Sequence, residues 1–393
     1  MAESRSLCIA VLGTCDTKLD ELLYVHKLIT KTHHLHAMLV DVGRTAGTHP
    51  AISTTQATIL ATTPSNSLHL HPIPDVRALS RNDLVTAIVA RARPLLASLA
   101  ASHHIHAIVA LGGSGGSTLA ADVFAAFWAA PLGAMASGDL NPFVKDADVA
   151  VMYSVVDIAG LNNILCPILD NAAAAVAGMA CSRSQTSASR RKRIAIMMFG
   201  VTTPAVTHAR ELLAKYDCTP YLFHATGAGG RAMERLVSEG FFDGVLDLTA
   251  MELEDELVGG VLSAGPHRLE AAAGKGVPSV GCRGHTCHGQ FRTASSVPEK
   301  WTREEGEGKR KLYEHNPSVT LMRTTGGECA QLGKIIVEQL RYADPEITEV
   351  WLPRGGISAM DVEGGPFEDR IADRVQLCNR RRLSTFQQSL VVQ

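Results

Sequence analysis

A short apolar run, a loop of glycine, threonine and serine, and a helix-patterned segment recur in that order along this sequence, and the recurrence restricts the fold more than any other feature. Residues 7–12 lead through Gly13, Thr14, Cys15, Asp16 and Thr17 into a helical pattern over 18–30. Residues 105–111 lead through Gly112, Gly113, Ser114, Gly115, Gly116 and Ser117 into a helix over 118–128, and residues 194–215 repeat the unit. Strands that alternate with helices are joined by right-handed crossovers and pair in parallel. The predicted class is α/β, with two Rossmann-like domains, each a mostly parallel sheet flanked by helices.

At 393 residues the chain exceeds what one core usually serves, so two domains are expected. Composition breaks over 181–193, CSRSQTSASRRKR, which is small, polar and finally basic, as an exposed linker is. The expected layout is an N-terminal domain over 1–180, a linker over 181–193 and a C-terminal domain over 194–393. The polar stretch after the second strand, to about residue 77, is long enough to act as a lid or flap.

A net charge of -2 supplies no concentrated positive field, so neither direct nucleic-acid binding nor membrane-surface binding is expected, and the ligand is taken to be small. Nine cysteines scattered singly read as reduced thiols, the first residues lack a signal-peptide pattern, and no apolar run reaches spanning length. A soluble, cytoplasmic protein is expected.

In a parallel sheet, ligands bind where loops and helix N-termini converge at the carboxyl ends of the strands. Residues 112–117 would bring backbone N–H groups to an anion without Cβ obstruction, at the positive end of a helix. The loop lacks the Gly-Lys-Ser/Thr ending of a Walker loop and the GxGxxG spacing of a dinucleotide site. Gly13, Thr14, Asp16 and Thr17 form a second such loop, to which Lys18 adds a cation, although Asp16 equally suits a helix cap. Asp41, with Gly43 beyond it, ends the next strand, where an acidic residue often holds a ribose hydroxyl.

The second half repeats the theme. His224, Thr226 and Arg231 bracket a loop, ATGAGG, that resembles another anion cradle, and Asp247 and Glu252 follow the next strand. Glu252, Asp255 and Glu256 partly share a helix face, which suits a divalent cation, proton transfer, or a solvated first turn favoured by the helix dipole. Cys282, His285, Cys287 and His288 have no common zinc-site spacing, so no metal site is assigned.

Ordered motifs run through almost the whole sequence: GTCDTK, LGGSGGST, ASGD, MYSVVDIAGLN, NAAAAVAGM, FGVTTP, FHATGAGGRAME, GVLDLT, ELVGG, AGPHRLEAA, HNPSVTLMRTT and GGISAMDVEGGPF. Together they resemble the ATP-binding domain family of the tomato mosaic virus resistance protein. The resemblance implies two Rossmann-like subdomains, ATP with Mg2+ on the first, and a homodimer. In the plant relative this region binds a viral replication protein. Carried over by residue, it points to Gly13, Thr14, Asp16, Thr17, Lys18 and residues 112–117 as the nucleotide loops. Many relatives carry a further barrel module that this sequence does not hold, so activity requiring it is expected to be absent or supplied separately.

Segments 120–136 and 281–301 depart from the family pattern, which leaves one strand of the first sheet open and removes an aspartate-containing segment from the second domain. The expected function is ATP binding in a regulatory or undefined enzymatic role. Two alternatives stand beside it. One is an enzyme using His224, Thr226, Arg231, Asp247 and Glu252 on a small phosphorylated or carboxylated metabolite in an interdomain cleft; the other is an interaction module gated by ATP.

Overall fold

The computed structural model describes residues 7–62, 76–112, 119–121, 123, 132–135 (backbone), 149–182, 191–282, 286–302, 310–351, 358–369 and 371–372. The chain divides into two compact units, Met1–Ser187 and Ala188–Gln393.

The first unit is built on β1 (Cys8–Gly13), β2 (His36–Asp41), β3 (Ile52–Thr54), β4 (Ala107–Leu111), β5 (Leu132–Met135) and β6 (Ala150–Tyr153). They pair in parallel in the order β3-β2-β1-β4-β5-β6. Strand order therefore reverses between β1 and β4, the topological switch point of a doubly wound sheet.

Alternate residues of β1 serve both faces. Ile9 and Val11 pack with α1 (Leu19–Lys27) and α4 (Leu165–Ser182), while Ala10 and Leu12 pack with α2 (Gln56–Ala61) and α3 (Arg81–Ala101). Cover on both faces is why these strands read as continuous apolar runs. Helices α3 and α4 are long and apolar enough by composition to cross a bilayer, contrary to the sequence reading. In this fold they present Leu84, Ile88, Ala92 and Leu96, and Leu165, Leu169 and Val176, to the core.

Two further expectations are corrected. The stretch after β2 is not uninterrupted loop. Thr55 accepts the N–H of Thr58 to start α2, and Gln56 Nε2 donates to the carbonyls of Gly43 and Arg44 at 2.5 and 2.8 Å, which ties the segment down; residues 63–75 lie outside the described residues. The open strand within 120–136 is β5.

The second unit holds a five-stranded parallel sheet, β7 (Lys192–Met198), β8 (Cys218–His224), β9 (Gly244–Asp247), β10 (Ser279–Cys282) and β14 (Thr348–Trp351), ordered β14-β10-β9-β7-β8. Its reversal lies between β7 and β9. Around it run α5 (Thr203–Leu213), α6 (Ala228–Ser238), α7 (Met251–Val258), α8 (Glu270–Lys275), α9 (Glu299–Thr302) and α10 (Gly326–Gln339). A separate antiparallel sheet, β11 (His288–Phe291), β13 (Val319–Arg323) and β12 (Leu312–Asn316), was not anticipated.

Candidate functional site

The carboxyl ends of β1, β2 and β4 carry the loops singled out from sequence. Gly13 ends β1 and is buried; a Cβ there would stand 2.6 Å from the end of the Leu22 side chain, so glycine lets α1 pack close on the strand. In the turn that follows, the N–H groups of Thr17 and Lys18 both donate to the Thr14 carbonyl, at 3.1 and 2.9 Å, and the two threonine hydroxyls lie 2.7 Å apart.

Two aspartates bind this turn to the loop after β2. Asp41 is fully buried; its Oδ1 accepts the N–H of Cys15 at 3.1 Å and of Gly43 at 2.9 Å, and its Oδ2 accepts that of Gly47 at 2.8 Å. Asp16 Oδ2 accepts the N–H groups of Arg44 and Thr45, both at 2.9 Å. A Cβ at Gly43 would stand 2.6 Å from the Asp16 carboxylate, which explains the glycine. The carboxylates do the work of loop organisers, and any ribose hydroxyl at Asp41 would share a group already holding three donors. Burial and the Asp41 carboxylate push the Cys15 thiol up to about 12, so it stays protonated. The Lys18 ammonium donates to the carbonyl of Ile158.

Gly112 is buried at the end of β4, across the reversal from β1. Gly113, Ser114, Gly115, Gly116 and Ser117 lie outside the described residues. Of the two loops, 14–18 has satisfied its own N–H groups of Cys15, Thr17 and Lys18.

In the second unit the structure separates the five candidates. Asp247 and Glu252 are buried, whereas His224, Thr226 and Arg231 stay exposed. The loop read as an anion cradle already holds an anion. Glu252 Oε1 accepts the N–H of Gly227 at 2.7 Å and of Gly230 at 3.1 Å, and Arg268 Nε donates to Oε2 at 2.7 Å. Glycine is obligatory here: Gly227 has φ +78°, and a Cβ on Gly230 would collide with the Glu252 carboxylate. The cradle reading is therefore corrected, because an internal carboxylate fills the position.

Arg268, missed in the sequence, anchors this cluster. It is 1% exposed, and its Nη1 donates to Glu234 at 2.8 Å. The same nitrogen lies 2.7 Å from Asp247 Oδ2, close enough for an ion pair but not aligned for a hydrogen bond. A cavity of about 30 Å³ adjoins Asp247 and Glu234, room for about one water. Burial raises the Glu234 and Glu252 carboxyls above the ordinary range, against the pull of Arg268.

Helix α7 extends the pattern. Glu254 accepts the His288 N–H at 3.1 Å and the Thr324 hydroxyl, and Asp255 accepts the N–H groups of Gln290 and Leu262, each at 2.8 Å. Burial pushes Asp255 up to about 7 and Glu254 well above the carboxylate range. Glu256 faces outward and takes the Ser263 hydroxyl. Cys287 is buried, 3.1 Å from His288 Nδ1 and 3.0 Å from Ser358 Oγ, and burial raises its thiol. Among the described residues no three His, Cys, Asp or Glu side chains converge as a metal shell; His285 lies outside them.

Comparison with known proteins places this geometry. The N-terminal domain of the uncharacterised protein family UPF0261 matches residues 7–185, and its C-terminal domain matches residues 191–387. The chain belongs to the UPF0261 family. A UPF0261 protein of Clostridium tetani is 38% identical over 91% of this chain and 87% of its own length. The ToMV resistance protein Tm-1(GCR237) of Solanum lycopersicum is 32% identical over 94% of this chain but 50% of its own length, so this UPF0261 chain spans about half of the tomato protein. A UDP-N-acetylglucosamine 2-epimerase from Rickettsia bellii aligns over 71% of this chain and 80% of its own, at 11% identity and a TM-score of 0.24.

Proposed function

We propose that the first unit binds ATP, with the phosphates on backbone N–H groups of the loop after Gly112 and the Gly13–Lys18 turn as the facing wall. One observation carries the reading: the two glycine-containing loops chosen from sequence leave the two strands, β1 and β4, between which strand order reverses. A doubly wound sheet opens its crevice there, and helix N-termini supply the positive end that phosphate needs. The residues present suit Mg2+ as well, since the exposed Asp16 lies beside the crevice and the ion is usually held by one or two carboxylates plus phosphate oxygens. The self-satisfied N–H groups of the 14–18 turn support this division of labour between the loops.

The role is that of a nucleotide-responsive protein in the cytoplasm, with a homodimer as its assembly. Titration calorimetry of ATP with Mg2+ tests the site. Gly115→Val is expected to weaken binding by tenfold or more, about 1.4 kcal/mol, by setting a β-branched side chain where phosphate approaches backbone. Equal affinity in wild type and variant would overturn the loop assignment.

A further inference from the structure

Three carboxylates surround the Arg268 guanidinium, and the fold supplies them with donors unequally. Glu234 accepts Arg268 Nη1 and the Leu269 N–H on Oε1, at 2.8 and 2.6 Å, and the Ala271 N–H on Oε2 at 2.9 Å. Glu252 accepts the Gly227 and Gly230 N–H groups and Arg268 Nε. Asp247, 2% exposed, accepts no hydrogen bond on either oxygen among the described residues, and Arg268 Nη2 finds no acceptor there either. A buried polar atom left unmet bears the full cost of losing its water, and more so when it is charged. Two such atoms, one acceptor and one donor, on a single ion pair therefore require a partner.

Asp247 lines the cavity of about 30 Å³ between the second sheet and its helices, where Val245, Gly281 and Val350 stand on the sheet side and Ala272 and Ile336 on the helix side. A single water needs about 10–15 Å³ of such space and two or more polar partners. The space is framed rather than left by loose packing. Leu269, also in its wall, is held at φ +74°, a left-handed conformation that persists in leucine only when the surroundings impose it. Its N–H on Glu234 ties the start of α8 to α6.

We propose that this cavity is a hydration site built into the second unit, in which one internal water donates to the Asp247 carboxylate and accepts from Arg268 Nη2. Water is the guest of this size that meets both needs, because it carries donors and acceptors on one heavy atom. An ammonium ion would suit Asp247, but it offers Nη2 no acceptor and adds positive charge beside the guanidinium. An apolar guest would leave both atoms unmet. The site is independent of the nucleotide reading, and it completes a cluster whose other two carboxylates are served by the chain itself.

Gly281 makes the test specific. It pairs in register with Asp247 and Val350, and a Cβ built on it meets nothing nearer than the Glu349 carbonyl at 3.9 Å, so Gly281→Ala adds a methyl group to the cavity wall. In a dry cavity that change stabilises, by filling space and by removing the freedom of glycine in the unfolded chain. In a hydrated one it expels the water and orphans Asp247. Urea denaturation of the full chain is therefore expected to show a folding equilibrium constant lowered about threefold or more. An unchanged or raised constant would overturn the proposal. A crystal structure of the wild type decides the matter even if the variant does not fold: density within hydrogen-bond reach of Asp247 and Arg268 Nη2 is expected, and an empty cavity would contradict it. If ammonium chloride stabilises the wild type more than sodium chloride at equal ionic strength, the guest is a cation and the water assignment is wrong.

Discussion

Truncating Glu252 to alanine strips Gly227, Gly230 and Arg268 of an acceptor at once and leaves a buried guanidinium facing the remaining Glu234 and Asp247. Breaking a buried pair from one side typically costs about 3–5 kcal/mol, and Glu252→Ala is expected to lose that much unfolding free energy in urea denaturation. A loss under about 1 kcal/mol would show that the cluster does not hold the α6 loop. At this scale the sequence was half legible. It marked Asp16, Asp41, Asp247 and Glu252 as carboxylates at strand ends, but not whether each faces a ligand or its own backbone. That depends on loops folding back from 28 residues away, as Arg44 does to Asp16, and on Arg268, whose neighbours in sequence give no sign that it is buried.

Helix α7 carries three fully buried acids; Glu252 holds the 227–230 loop, while Glu254 and Asp255 both take N–H groups of β11. An acid whose pKa is higher in the folded than in the unfolded chain is better protonated when folded. Its contribution is therefore present at low pH and lost as pH rises. For Asp255, between its ordinary value near 4 and about 7, stability is expected to fall with rising pH, with a slope approaching about 1.4 kcal/mol per pH unit. Asp255→Asn removes the titration, so the variant should gain on wild type from pH 4.5 to 7.5 in denaturation measured across that range. A constant difference would mean that Asp255 titrates normally. The elements themselves were largely legible, because strands covered on both faces and helices with capping residues declare themselves by period and punctuation. The short β3 and α2, the antiparallel sheet and α10 escaped. Three residues cannot set a period, and β12, LYEHN, is polar and exposed on most of its length.

Each unit has its own apolar core. Ile9, Leu39, Val109 and Leu169 belong to the first, and Met197, Met233, Phe242 and Val245 to the second. A fragment ending at Ser187 is therefore expected to unfold in one cooperative transition and to bind ATP as the full chain does, as thermal melts followed by circular dichroism and calorimetry would check. A fragment without cooperative melting would show that the first core is incomplete alone. The change in composition at 181–193 already pointed to a division, whereas strand order, set by which crossovers pair, was beyond any local reading. Both sheets turn out to reverse, and in the second unit Glu252 already fills the glycine loop after β8. The structure of the full chain with a non-hydrolysable ATP analogue and Mg2+ tests this most directly. The phosphates are expected on backbone N–H groups just after Gly112, between β1 and β4. Phosphates bound in the second unit, or no bound nucleotide at saturating concentration, would contradict the account.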